Sequence, residues 1–160
     1  MKAKNSGQAS LLLRNLVFTI LQPGVVAGLI PYLIMRGRAI PVAPWLHYTG
    51  IAVFAAGVII VLACIVQFAL QGAGTLSPAD PTQKLVVAGL YRYSRNPMYI
   101  GVMLTLLGEA LAWGNVYLWL YAAVIFLCFY LFVRYREEPR LHRDFGKEYD
   151  DYRKRVRRWL

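Results

Sequence analysis

Acidic side chains are scarce in this 160-residue chain: eight Asp and Glu stand against 18 Lys and Arg, for a formal net charge of +10. Histidine and cysteine are scarcer still, with two of each. Cys64 and Cys128 both lie inside apolar runs, with no His, Asp or Glu at metal-ligand spacing. They read as small packing residues, so no metal site and no disulfide framework is expected. His47 has no partner at helical spacing and is given no catalytic or metal role. The N-terminus also lacks a small-x-small cleavage site closing a short apolar core. The first apolar stretch therefore reads as a retained span, not a signal peptide.

Apolar residues are what the chain has in excess. They make up 58% of the sequence, aromatics 14%, and mean hydropathy is +0.45. They come in long blocks, the pattern of an integral membrane protein. The expected fold class is all-α: a single membrane domain with about four transmembrane helices and a C-terminal amphipathic cytosolic helix. The spans are placed at about 11–35, 45–70, 97–113 and 116–133, with a cofactor-binding loop over 71–96 and a tail over 134–160. Pro23 and Pro31 kink the first span, and Arg14 near its start snorkels to the headgroups. Gly24 and Gly28 give it a GxxxG spacing, a weak signal for close helix approach. Trp45 and Tyr48 mark an interface at the start of the second span. The third is short: its helix rises about 25 Å against roughly 30 Å of hydrocarbon. Gly114-Asn115 makes the turn into the fourth.

Charge is uneven. Ten of the 18 Lys and Arg lie from Arg134 onward. Beside hydrophobic spans, anionic lipid headgroups are the expected partner of this basic end, and nucleic acid is not. Within it Leu141, Phe145, Tyr149, Tyr152, Val156 and Leu160 recur on one helical face, with Gly146 as a point where the helix bends or breaks. Such a tail would lie on the membrane surface and fold back over the loop before the third span. The loop charges put both termini and that loop on the cytosolic side of an inner membrane or endomembrane.

Two polar stretches border lipid without being needed to cross it. The first is Tyr91-Arg92-Tyr93-Ser94-Arg95-Asn96-Pro97-Met98-Tyr99-Ile100-Gly101. Asn96 is placed as N-cap and Pro97 as the first helical residue. A helix start flanked by arginines suits a carboxylate or phosphate, and Gly101 permits close approach. The second is Arg134-Tyr135-Arg136-Glu137-Glu138, where Arg134, Glu137 and Glu138 share a helical face. Taken alone this is an exposed ion pair of little consequence. Two adjacent acids in basic surroundings also suit a cationic group such as an amine or sulfonium. An anion pocket, a cation pocket and aromatic rings together suit S-adenosylmethionine.

The chain resembles the isoprenylcysteine carboxyl methyltransferases and the related phospholipid methyltransferases over roughly its second half. The matching residues are Gly89-Leu90-Tyr91, Arg95-Asn96-Pro97-Met98-Tyr99-Ile100-Gly101, Glu137-Glu138 and Phe145-Gly146-Lys147-Glu148-Tyr149-Asp150-Asp151-Tyr152. Leu90 replaces a usual Pro, and Asn96 replaces a usual His, so no imidazole base is available there. Val156-Arg157-Arg158-Trp159 stands where the family often has Val-Pro-Arg-Trp. The resemblance implies methyl transfer from S-adenosyl-L-methionine to a lipophilic, membrane-embedded acceptor: an isoprenylcysteine-like carboxylate or a lipid headgroup. It implies a cofactor site made of Tyr91, Arg95, Asn96, Pro97, Tyr99, Gly101, Glu137, His142, Phe145, Tyr149 and Tyr152. Arg134 and Glu138 would be the catalytic pair, with Arg134 orienting the acceptor. Two other readings stay open: a nicotinamide-dependent membrane reductase of the sterol reductase type, and a non-catalytic protein binding anionic lipid.

Glu109, inside the third span, is expected to find a structural partner at the far side, from Arg36, Arg38 or His47. A place in the acceptor tunnel is the alternative.

Overall fold

The computed structural model describes residues 23–37, 40–71 and 85–159, without the side chains of 68–71. Residues 11–22 of the first expected span, Arg38, the loop over 72–84 and Leu160 lie outside the described residues.

Every element is helical, and the described residues contain no strand. We label the helices in chain order. α1 is Val25–Met35, whose first part, Val25–Leu29, is wound as a π-helix. α2 is Pro44–Gln71. A short 3-10 turn, Gly89–Arg92, leads to α3, Pro97–Trp113. α4 is one 30-residue helix, Val116–Phe145. Its apolar part, Val116–Phe132, passes through a π-turn at Val133–Glu137 into the polar part Glu138–Phe145. α5 is Lys147–Arg155.

α2 and α4 are long and apolar enough to cross a membrane. α1 and α3 are apolar but shorter. Large apolar side chains stand exposed along both long helices, among them Ile59, Leu62 and Val66 on α2 and Leu120, Val124 and Leu127 on α4. A protein surrounded by water does not keep such stripes bare, whereas lipid tails cover them at no cost.

The central contact is α2 against α3, and glycine makes it. A Cβ built on Gly57 would lie 2.5 Å from the Thr105 nitrogen, and one on Gly108 would lie 2.3 Å from the Phe54 nitrogen. Gly50 meets the Ala112 backbone in the same way, and Gly101 lies against the Ile60 and Val61 side chains and the Gly57 carbonyl. Backbones therefore touch, and dispersion between them replaces a hydrophobic effect that lipid cannot supply. Gly24 and Gly28 behave differently: among the described residues, a Cβ at either would meet nothing within 4 Å. A small core of Val61, Val102, Leu106 and Ala122 joins α2, α3 and α4.

α3 ends in a left-handed Gly114 with φ 59°, and the Asn115 side chain then accepts from the Tyr117 amide at 2.9 Å, capping α4. The tail is not one helix. Gly146, with φ 50°, separates the end of α4 from α5. The apolar face expected along it is interrupted there, but Tyr149 and Tyr152 are buried.

Candidate functional site

The loop before α3 is held from three sides. Gln67 of α2 donates to the Ala88 carbonyl. Cys64, Val86 and Tyr91 form a small core beneath it. From the tail, the Tyr152 hydroxyl donates to the Tyr91 carbonyl at 2.7 Å. Ser94 and Arg157 then pair as an isolated parallel bridge, with the Arg95 amide on the Arg157 carbonyl at 2.9 Å.

Asn96 occupies the N-cap position of α3 without a side-chain cap. Its Nδ2 instead donates to the Arg158 carbonyl at 2.8 Å, while its own amide donates to Ser94 Oγ at 3.1 Å. The expected helix cap is corrected to a stitch between loop and tail. The reason is burial: the residue is 6% exposed, and the tail carbonyl needs a donor.

Arg95 lies at the centre of the cluster. Its NH1 reaches Glu138 Oε1 at 2.8 Å and the Tyr149 hydroxyl at 3.0 Å. The Arg95 and Glu138 side chains are 10% and 11% exposed. Arg158 grips the same carboxylate from the tail with two bonds of 2.8 Å. That bond holds the Arg158 guanidinium's proton more firmly than usual. Beside this triad the Tyr99 hydroxyl donates to Glu137 Oε2 at 2.9 Å, and the Tyr99 ring lies 4.7 Å from that of Phe129. Burial pushes the phenols of Tyr91 and Tyr149 up from their ordinary value, and that of Tyr152 up to about 12. These rings stay neutral hydrogen-bonding groups across the physiological range.

Among the described residues two donors are left over: Arg95 Nε and Trp159 Nε1 are buried without a hydrogen-bond partner. Trp159 is packed 5.9 Å from Phe126 of α4.

Arg95, Asn96, Glu138 and Tyr149 are thus linked with Arg158 in one bonded group, with the Tyr99–Glu137 and Tyr152–Tyr91 pairs as further contacts of the same loop. Pro97 and Gly101 are buried in the first turns of α3, and Phe145 is half-buried at the end of α4. Two sequence candidates are exposed at the edge of this group and take no part in these bonds. His142 pairs with Asp150 at 3.1 Å with its side chain 58% exposed. Arg134 is exposed, bonded to the Tyr130 hydroxyl at 2.8 Å and lying over the Tyr130 and Tyr135 rings. Sequence reasoning missed Arg158 as the second clamp on Glu138, although its place in the Val-x-Arg-Trp ending was a signal.

A family model described as phospholipid methyltransferase matches residues 45–148, well over half of the chain. The chain belongs to the phospholipid methyltransferase family. Family membership makes it a methyltransferase of lipid-type substrates. The match runs from α2 into α5 and includes Arg95, Tyr99 and the two acids; Tyr149, Tyr152 and Arg158 lie beyond it. An uncharacterized protein of Haemophilus influenzae is 41% identical over 63 residues, 39% of this chain and 100% of that protein. No solved structure matches.

Of the partners expected for Glu109, Arg38 lies outside the described residues. His47 Nδ1 is engaged with the Ala112 carbonyl at 2.8 Å. Among the described residues Glu109 Oε2 is buried without a hydrogen-bond partner.

Proposed function

We propose that this family member transfers a methyl group from S-adenosyl-L-methionine to a lipophilic acceptor in the membrane. The observation that carries the reading is the buried Arg95–Glu138 pair, beside tyrosines and with Arg95 Nε unused among the described residues. An unpaired buried guanidinium N–H suits an acceptor oxygen such as the ligand's carboxylate. The acids beside it suit the amine and sulfonium. The residues present therefore fit the cofactor.

Arg95 would hold the carboxylate. Glu137 or Glu138 would hold the amine or ribose. Since Arg95 and Arg158 already bond the Glu138 carboxylate, an incoming amine shares or replaces the Arg158 contact. Tyr91, Asn96, Tyr99, Tyr149 and Tyr152 would wall the pocket, with Pro97 and Gly101 allowing close approach to the start of α3. His142 and Phe145 would close the outer side. When bound, S-adenosylmethionine supplies an electrophilic methyl group on sulfur. Direct displacement depends mainly on proximity and alignment. Arg134, at the foot of the exposed apolar face of α4, would orient an acidic acceptor arriving from the bilayer. A carboxylate acceptor needs no base, and an amine acceptor must arrive neutral. Asn96 offers no base in either case.

Four membrane passes with cytosolic termini would put this site at the cytosolic face, next to the basic tail. The test is calorimetry of the purified protein with S-adenosylhomocysteine and NADPH. Heat with the first and none with the second is expected. Heat with NADPH alone would make the protein a reductase. A labelled methyl donor supplied with lipid extract then identifies the acceptor by its product.

A further inference from the structure

Glu109 is the one acidic residue of the apolar helices α1 to α3. It follows Val102 and Leu106 around α3, on the face that packs toward α1 and α4. The residue is 5% exposed, and its Oε2 finds no partner among the described residues. The groups around it are already committed. Tyr121 of α4 lies near enough to interact with it electrostatically, but the Tyr121 hydroxyl donates to the Val26 carbonyl at 2.8 Å. Thr105 donates to the Gly101 carbonyl one turn away. His47 is taken by Ala112.

What collects here is oxygen. A carboxyl, a phenol oxygen and a π-helical carbonyl meet in an apolar bundle, and the donor they include is spent. A buried acceptor left unmatched lowers stability, and lipid offers it nothing. An ionisable residue at this depth marks a ligand pathway more often than a packing solution. Val26 and Ala27 of α1 pack against the apolar cluster that includes Val102 and Leu106, surroundings that suit an alkyl chain.

We propose that Glu109, Tyr121 and the Val26 carbonyl form a binding site within the bundle for the hydrogen-bond-donating head of a lipophilic molecule, a long-chain alcohol or amine. The site lies about 18 Å along α3 from Pro97. The group it holds is therefore not the one presented to Arg95 and Glu138. The inference does not depend on what those residues bind.

The protein is reconstituted in nanodiscs and titrated with hexadecanol, hexadecylamine and the methyl ether of hexadecanol. Thermal unfolding and the fluorescence of Trp113, one turn beyond Glu109, are followed. The alcohol or the amine should raise the unfolding temperature, and the ether should not. The stronger of the two identifies the head group. Glu109→Leu should raise the unfolding temperature of the ligand-free protein, because it removes an unmatched polar group, and weaken binding by about tenfold or more. Glu109→Gln brings its own donor to the neighbouring oxygens, so it should fold and also bind weakly. A ligand-free Glu109→Leu protein that is less stable than the parent would overturn the proposal. That is the result expected if a cation such as Arg38 were its fixed partner. Equal binding of ether and alcohol, or unchanged binding by Glu109→Gln, would overturn it too.

Discussion

Arg95, Glu138 and Arg158 show how much depends on single side chains. Glu138 receives bonds from two arginines on different segments, so it joins the loop, α4 and the tail. Glu138→Gln should remove the charge that both arginines need, and destabilise the protein by about 1–3 kcal/mol as well as abolishing methyl transfer. Arg134→Ala should abolish transfer with little effect on stability, because Arg134 is exposed and bonded only locally. Thermal melts and an activity assay on both variants separate the two effects. Tyr152 gives a pH prediction. Its folded-state value is raised to about 12, so its stabilising contribution is intact below the ordinary phenol value of about 10 and is lost as pH climbs from there. Difference absorbance against Tyr152→Phe should show a phenol titrating near the raised value. A phenol ionising at the ordinary value would mean that the tail is not docked. Residue types at the site were legible because arginines, tyrosines and paired acids are unusual beside lipid. The direction of the Asn96 side chain was not. Its partner is a carbonyl 62 positions away, which no local spacing reveals.

Among the elements, α2 and α3 fit because of glycines placed seven apart, Gly50 with Gly57 and Gly101 with Gly108. Seven residues are about two helical turns, so each pair returns to one face. Gly24 and Gly28, whose shorter spacing is a weak signal for close approach, meet nothing within 4 Å among the described residues. Glycine spacing shows where a helix can approach closely; the partner's surface decides where it does. Gly108→Val should force Phe54 aside and cost about 1–3 kcal/mol, with loss of folded protein on heating. Gly28→Val should cost far less. α4 was also only partly legible. Hydropathy ends near Val133, but the helix runs on to Phe145 through a π-turn. This continuation sets Glu137 and Glu138 on a rigid element facing Tyr99 and Arg95. A hydropathy window reports where lipid ends, not where the backbone stops winding.

At the scale of the whole molecule, an all-helical apolar chain with a polar end was plain from composition and block pattern. The periodic apolar face of the tail led to an expected return onto the loop; in the structure Tyr149 and Tyr152 are buried and the Tyr152 hydroxyl donates to the Tyr91 carbonyl. Its division at Gly146 was foreshadowed by the glycine itself. The contacts of Ser94, Arg95 and Asn96 with the chain at Arg157 and Arg158 make the last residues a strap across the site. Truncation after Arg155 should therefore speed amide hydrogen exchange at Arg95 and lower affinity for the methyl donor while leaving α2 and α3 protected. The central claim is that the Arg95–Glu138 cluster binds S-adenosylmethionine, and titration calorimetry with S-adenosylhomocysteine tests it most directly. The expected result is saturable heat from the parent protein, lost in Arg95→Ala. No heat from a folded parent, or equal heat from Arg95→Ala, would contradict it.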